Sequence, residues 1–275
     1  MSKKAKIITG IIVFLLMLLF AGGYLYYTGA LKRFFPRESI SLKEYDPGSL
    51  ISVEPEEYVP DLILVNKVYT IDADYDSDIT YYRDTDVLMN SRIVDAYGAM
   101  SDYVKENLND KLYVSSTYRS YDDQSRVLAE EGADVAALPG QSEHQTGLAV
   151  DVYVMYHAGM AFIQSPVGEY LNEHCQDFGF IIRYPEGCKD ITGFDYEPWH
   201  LRYVGHPHAE IIAENDITLE EYLEYLQPGK WYEYQDYVIG LCRENDIKIP
   251  EELADKELLY SHDNRGNVVI WGKIR

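Results

Sequence analysis

Cysteine is scarce. The 275 residues contain three, Cys175, Cys188 and Cys242, and none sits in a CxxC pair, which argues against a thiolate metal site. Cys175 and Cys188 flank FGFIIRYPEG. They either pair in an oxidising compartment or stay apart as half-buried thiols, and the second is the simpler reading. Basic side chains are scarce too: 24 Lys and Arg stand against 46 Asp and Glu, for a net charge of -22. Six of the basic residues lie in positions 1–37, which hold no acid, so the remainder carries 18 basic against 46 acidic groups, or -28. Such a field repels nucleic acid and anionic lipid, and both are excluded as partners of the main domain. No internal repeat or low-complexity tract is present, and nothing suggests an obligate oligomer, so a monomer is expected.

Long apolar runs are confined to one place. Ile7 to Tyr27 carries no charge, and its 21 residues would span about 31 Å as a helix, the thickness of a bilayer core. A cleaved signal peptide is the competing reading. No convincing small-x-small cleavage site follows the apolar run, and with the belt of Tyr24, Tyr26 and Tyr27 this favours an uncleaved anchor. The expected organisation is a cytoplasmic tip and anchor over residues 1–30, a proline-punctuated stalk over 31–61, a main domain over 62–227 and a small β-rich appendage over 228–275.

Within the main domain, the segment 62–71 is rich in β-branched and aromatic residues and opens the fold. Apolar residues from Ile93 to Leu108 recur at helical spacing, predicting a helix over 86–108. Strands are expected at 111–118, 148–154, 180–183 and 199–204. Helices are expected at 122–131, ended by Gly132, at 167–178, ended by Gly179, and at 208–214 and 219–226. In the last segment, turn residues 264–267 between apolar stretches predict a hairpin.

Two stretches carry chemistry. SEHQTGLAVDV places His144 and Asp151 seven apart with Gly147 and Ala149 between them, and YEPWHLRYVG places Glu197 three before His200. Two imidazoles and a carboxylate suit a catalytic zinc, and a further glutamate suits its base. A lone histidine is most often a surface or satisfied one. Asp151 inside an apolar strand is harder to explain without a partner, because an unpaired buried carboxylate is costly. Alternation predicts Ala149 and Asp151 on one strand face, Val150 and Val152 on the other. Glu197 and His200 share a site only if the chain bends at Pro198. His157, His174, His206, His208 and His262 lack ligand spacing.

SEHQTGLAVD and EPWH resemble the SxHxxGxAxD and ExxH signatures of VanY-type D-alanyl-D-alanine carboxypeptidases, zinc peptidases of bacterial walls. The similarity extends through STYRSYDDQ, FGFIIRYP and ITGFDYEPWHLRYVG, covering roughly residues 62–226. The resemblance implies an α+β fold with helices around a small antiparallel sheet. It implies Zn2+ held by His144, Asp151 and His200, with Glu197 as catalytic base. By the same resemblance Arg119 meets the oxyanion or the substrate carboxylate, and Gln124, Ser142 and Tyr184 line the substrate cleft. The implied substrates are peptidoglycan stem peptides ending in D-Ala, met outside the membrane. An L,D-carboxypeptidase acting on tetrapeptide stems resembles the chain equally well around YEPWHLRYVG. A non-catalytic wall-binding or sensory ectodomain is the alternative of another class, and the intact Glu197 weighs against it.

Overall fold

The computed structural model describes Met17, residues 40–132 and residues 136–274. The span expected over residues 7–27 lies outside the described residues apart from Met17. Among the described residues, no helix is long and apolar enough to cross a membrane.

From residue 40 the described residues open with two short strands, β1 (Lys43–Tyr45) and β2 (Leu50–Ser52), followed by β3 (Ile79–Tyr81) and β4 (Leu88–Asn90). Helix α1 (Val94–Asn107) leads to β5 (Tyr113–Ser116), α2 (Tyr121–Glu131) and β6 (Ala149–Tyr153). Then come α3 (Pro166–His174), β7 (Phe180–Ile182), α4 (Lys189–Thr192), β8 (His200–Tyr203), α5 (His208–Glu214) and α6 (Leu219–Tyr225). The chain closes with β9 (Trp231–Tyr234), β10 (Tyr237–Arg243), β11 (Lys248–Pro250), β12 (Leu258–His262) and β13 (Asn267–Lys273). Among the described residues there is a four-stranded sheet in the order β5-β6-β8-β7 and a five-stranded one in the order β1-β9-β10-β13-β12. Neighbours in both are antiparallel. The fold is therefore mixed, with helices against antiparallel sheets.

Local chemistry explains most element ends. Ser120 caps α2 by accepting the Asp123 N–H while Asp123 returns the bond to the Ser120 N–H, a closed capping box. Ser165 caps α3 directly before Pro166, which suits the first helical position. The helix expected over 86–108 starts late. Met89 and Asn90 are buried in β4, paired with β3, and the Asn90 side chain accepts the Arg92 N–H to start the turn into α1.

The expected boundaries at residues 61 and 228 need correction. Residues 40–61 are not a free stalk: β1 pairs with β9 and β2 with β11. Leu42, Tyr45, Ile51 and Val53 pack into the cores beneath. Strands of three residues are too short to show a periodicity, and Pro47, Pro55 and Pro60 fall outside them. Residues 228–275 are not an appendage either. Ile239, Leu241, Val269 and Trp271 share one buried cluster with Leu62, Leu64, Ile181 and the α5–α6 residues Ile211 and Leu223. Residues 40–275 form one compact unit. The seam is Leu62–Val65, which makes no ladder of its own. Its alternate side chains enter two cores, Leu62 and Leu64 on one side, Ile63 and Val65 on the other.

A buried histidine sits at this junction. His208 is wholly buried; its Nδ1 shares a 2.7 Å hydrogen bond with the Tyr222 hydroxyl, and Trp271 packs edge-on 4.5 Å away. Burial, helped by the nearby His206, pushes its pKa from 6.5 down to about 3. The unfolded chain therefore takes up a proton below about pH 6.5 that the folded chain refuses. Stability falls as pH drops from there toward 3, by up to about 1.4 kcal/mol per unit. His208→Gln is expected to flatten this part of a plot of melting temperature against pH. An unchanged slope would remove His208 from the account.

Candidate metal and catalytic centre

The centre lies on one face of the four-stranded sheet. On β6, Val150 and Val152 point into the main core, so Ala149, Asp151 and Tyr153 take the other face. Asp151 is the ladder partner of His200, whose neighbour Leu201 also enters the core, so His200 and Arg202 share the face of Asp151. His144 arrives from the turn Glu143–Thr146, which Gly147 closes at φ 71° with its N–H on the His144 carbonyl. A Cβ on Gly147 would lie 2.8 Å from the Asn90 nitrogen, which is backbone and cannot give way cheaply. Gly147→Ala combines that clash with a left-handed conformation. It is expected to cost about 1–3 kcal/mol and to weaken metal binding by moving His144. Wild-type melting temperature and metal affinity in this variant would contradict the assignment.

His144, Asp151 and His200 each offer a donor atom within 4.8 Å of the others. His144 Nε2 lies 3.3 Å from one Asp151 oxygen, and His200 Nδ1 lies 2.9 Å from the other. The second approach is close but badly aligned, and Asp151 Oδ1 has no hydrogen-bond partner among the described residues. Two imidazoles and a carboxylate crowded together without making their hydrogen bonds fit a cation they would share. The local charge agrees. Burial alone would raise the Asp151 pKa, yet His144 and His200 hold it well below the carboxylate range. Burial alone would lower the His200 pKa, yet Asp151, Glu143 and Glu197 push it up to about 10.

The bend expected at Pro198 is present. The Glu197 N–H donates to the Tyr184 carbonyl and the Glu197 carbonyl accepts from His200 N–H, at 3.0 and 3.1 Å. This brings Glu197 Oε2 to 3.7 Å from His200 Nδ1, with the side chain 28% exposed. Burial raises the Glu197 pKa, with His200 opposing. Arg119 donates to Gln124 Oε1 and Ser116 Oγ, both at 2.8 Å, and Ser116 faces Asp151 in the ladder. Gln124 is buried, with its amide nitrogen on the Ala137 carbonyl at 2.7 Å. Ser142 is buried at the start of the His144 turn. Tyr184 is 4% exposed and packs its ring 4.8 Å from that of His200. The surface hollows at residues 46–49 with 251–252, and at 52–58 with 244–247, contain none of these residues.

One group of residues escaped the sequence reading. Glu143 is fully buried, and its Oε1 accepts from Arg183 Nε and Arg202 Nη1, both at 2.7 Å. Arg183 also grips Glu220 of α6, and Arg202 donates to the Asp61 and Ile63 carbonyls. Burial would raise the Glu143 pKa, but the two guanidinium groups hold it well below the usual range. A signal was available: Arg183 directly follows the apolar strand FII and Arg202 lies within HLRY beside the buried Leu201, and a buried charge there demands a partner.

A family model described as "VanY: D-alanyl-D-alanine carboxypeptidase" matches residues 86–206, a range that holds Arg119, Gln124, Ser142, His144, Asp151, Tyr184, Glu197 and His200. A D-alanyl-D-alanine carboxypeptidase of Enterococcus faecium is 30% identical over 279 residues, covering 87% of this chain and 89% of that one. The chain belongs to the VanY family. Among solved structures, the vancomycin-resistance D,D-dipeptidase VanXYg with a D-Ala-D-Ala phosphinate analogue matches 82% of this chain and 98% of its own. Its TM-score is 0.68 at 28% identity. A mutant of the VanY D,D-pentapeptidase from a VanB-type cassette, in complex with Zn(II), matches 59% of this chain and 98% of its own. Its TM-score is 0.53 at 33% identity. Family membership makes the chain a carboxypeptidase by descent, and the three donors on its sheet face are a potential metal triad.

Proposed function

We propose that this VanY-family protein is a zinc D-alanyl-D-alanine carboxypeptidase that removes the C-terminal D-Ala from peptidoglycan stem peptides. The observation that carries this reading is the convergence of His144, Asp151 and His200 with Glu197 beside them. His144, Asp151 and His200 would hold the ion. When bound, zinc supplies Lewis acidity and brings the pKa of a water to about 7. Glu197 takes a proton from the attacking water as its oxygen bonds to the scissile carbonyl carbon. Glu197 then returns the proton to the D-Ala nitrogen as the C–N bond breaks. Arg119, fixed by Gln124 and Ser116, presents a permanent positive charge to the developing oxyanion or to the terminal carboxylate. A net-acidic protein needs such a local cation to receive an anionic peptide end.

The expected location is the wall side of the membrane, with residues 7–27 as the anchor and the protein monomeric. The test is to incubate purified protein with pentapeptide stems ending in D-Ala-D-Ala and tetrapeptide stems ending in a single D-Ala. Release of D-Ala from pentapeptides supports the reading. Turnover confined to tetrapeptides would make it an L,D-carboxypeptidase, and turnover of neither would leave the wall-binding alternative.

A further inference from the structure

Glu143 uses only half of its carboxylate on the arginines. Oε1 takes both guanidinium contacts, whereas Oε2 is buried and has no hydrogen-bond partner among the described residues. The atom facing it is His200 Nε2, 3.6 Å away, which is also buried and has no such partner. A shift of about 0.5 Å would bring the two within hydrogen-bonding distance. The opposite ring nitrogen, Nδ1, points toward Asp151 and Glu197. An imidazole that keeps its proton on Nε2 has its lone pair on Nδ1, the nitrogen a cation in this triad would use.

We infer that Glu143 is the positioning residue of the centre, accepting the Nε2–H of His200 and so holding Nδ1 open toward the metal. Arg183 and Arg202 make this possible by pinning Oε1, which fixes the direction of Oε2. Their further bonds to Glu220 and to the Asp61 and Ile63 carbonyls tie that direction to α6 and to the Leu62–Val65 seam. The assignment rests on the reading of His144, Asp151 and His200 as metal donors, and it concerns metal binding rather than turnover.

Glu143→Gln is a pointed test. The arginines demand an oxygen at the Oε1 position, so the amide nitrogen must take the place of Oε2. A donor then faces Nε2 and favours the tautomer with its proton on Nδ1, which cannot ligate. Zinc affinity, measured against a chromophoric chelator without substrate, is expected to fall about 10–100-fold. The Co(II)-substituted spectrum is expected to change as well. A lower melting temperature of the metal-free protein with unchanged zinc affinity would overturn the assignment and leave Glu143 purely structural. Should this variant fail to fold, the wild type decides. Histidine 15N spectra of the zinc-loaded protein are expected to show His200 protonated at Nε2 and metal-shifted at Nδ1. The reverse pattern would overturn the inference. If wild-type protein binds no zinc at all, the fault lies instead in the underlying reading of the triad.

Discussion

Replacing Glu197 with Gln is expected to lower kcat on D-Ala-terminated stem peptides by a factor on the order of 10² to 10⁴, the usual worth of a positioned general base. Zinc content is expected to stay at the wild-type level. The two outcomes separate because Glu197 stands beside the triad rather than in it. Its carboxylate reaches only to 3.7 Å from His200 Nδ1 and is partly exposed, while Asp151 lies 2.9 Å from the same atom. Glutamine keeps the size and the backbone bend, whose bonds to Tyr184 and His200 are made by main-chain atoms. What is lost is the capacity to take a proton. Paired measurements of kcat and bound zinc check this, and unchanged turnover would remove Glu197 from the mechanism.

Arg202→Met is expected to be the most damaging single substitution for stability, at about 3–5 kcal/mol. Arg202 has no solvent exposure and holds four bonds, to Glu143 and to the carbonyls of Tyr203, Asp61 and Ile63. Removing it leaves buried acceptors without donors where water cannot replace them. At roughly 2–4 °C per kcal/mol for a chain of this size, the melting temperature is expected to fall by about 10 °C. The comparison is Lys189→Ala. Lys189 also makes a charged contact, to Asp195 at 2.7 Å, but the side chains are 60% and 79% exposed. Its loss is expected to stay within about 0.5 kcal/mol. Equal effects from the two substitutions would contradict the weight given to the buried network.

Much of the centre was legible because its chemistry is local in sequence. His144, Gly147 and Asp151 lie within one turn and one strand, and the strand alternation puts Asp151 on the open face. The Pro198 bend was also readable, since three residues on a straight strand cannot share a face. The unread parts depend on long-range pairing. Nothing adjacent to Glu143 in the sequence marks its role, because its partners Arg183 and Arg202 lie 40 and 59 residues away and meet it in the core. The apparent stalk failed for a similar reason: Lys43–Tyr45 finds its partner strand at Trp231–Glu233, and nothing local announces so distant a neighbour. The helices and strands that carry the site were placed to within a few residues because capping residues and glycines mark their ends.

The most direct measurement is mass spectrometry of pentapeptide stems incubated with purified protein as isolated, after chelation, and after zinc is restored to the chelated sample. Two imidazoles and an acid gripping a cation predict loss of one terminal alanine in the first, none in the second and recovery in the third. Cleavage that survives complete removal of the metal would contradict the centre described for His144, Asp151 and His200.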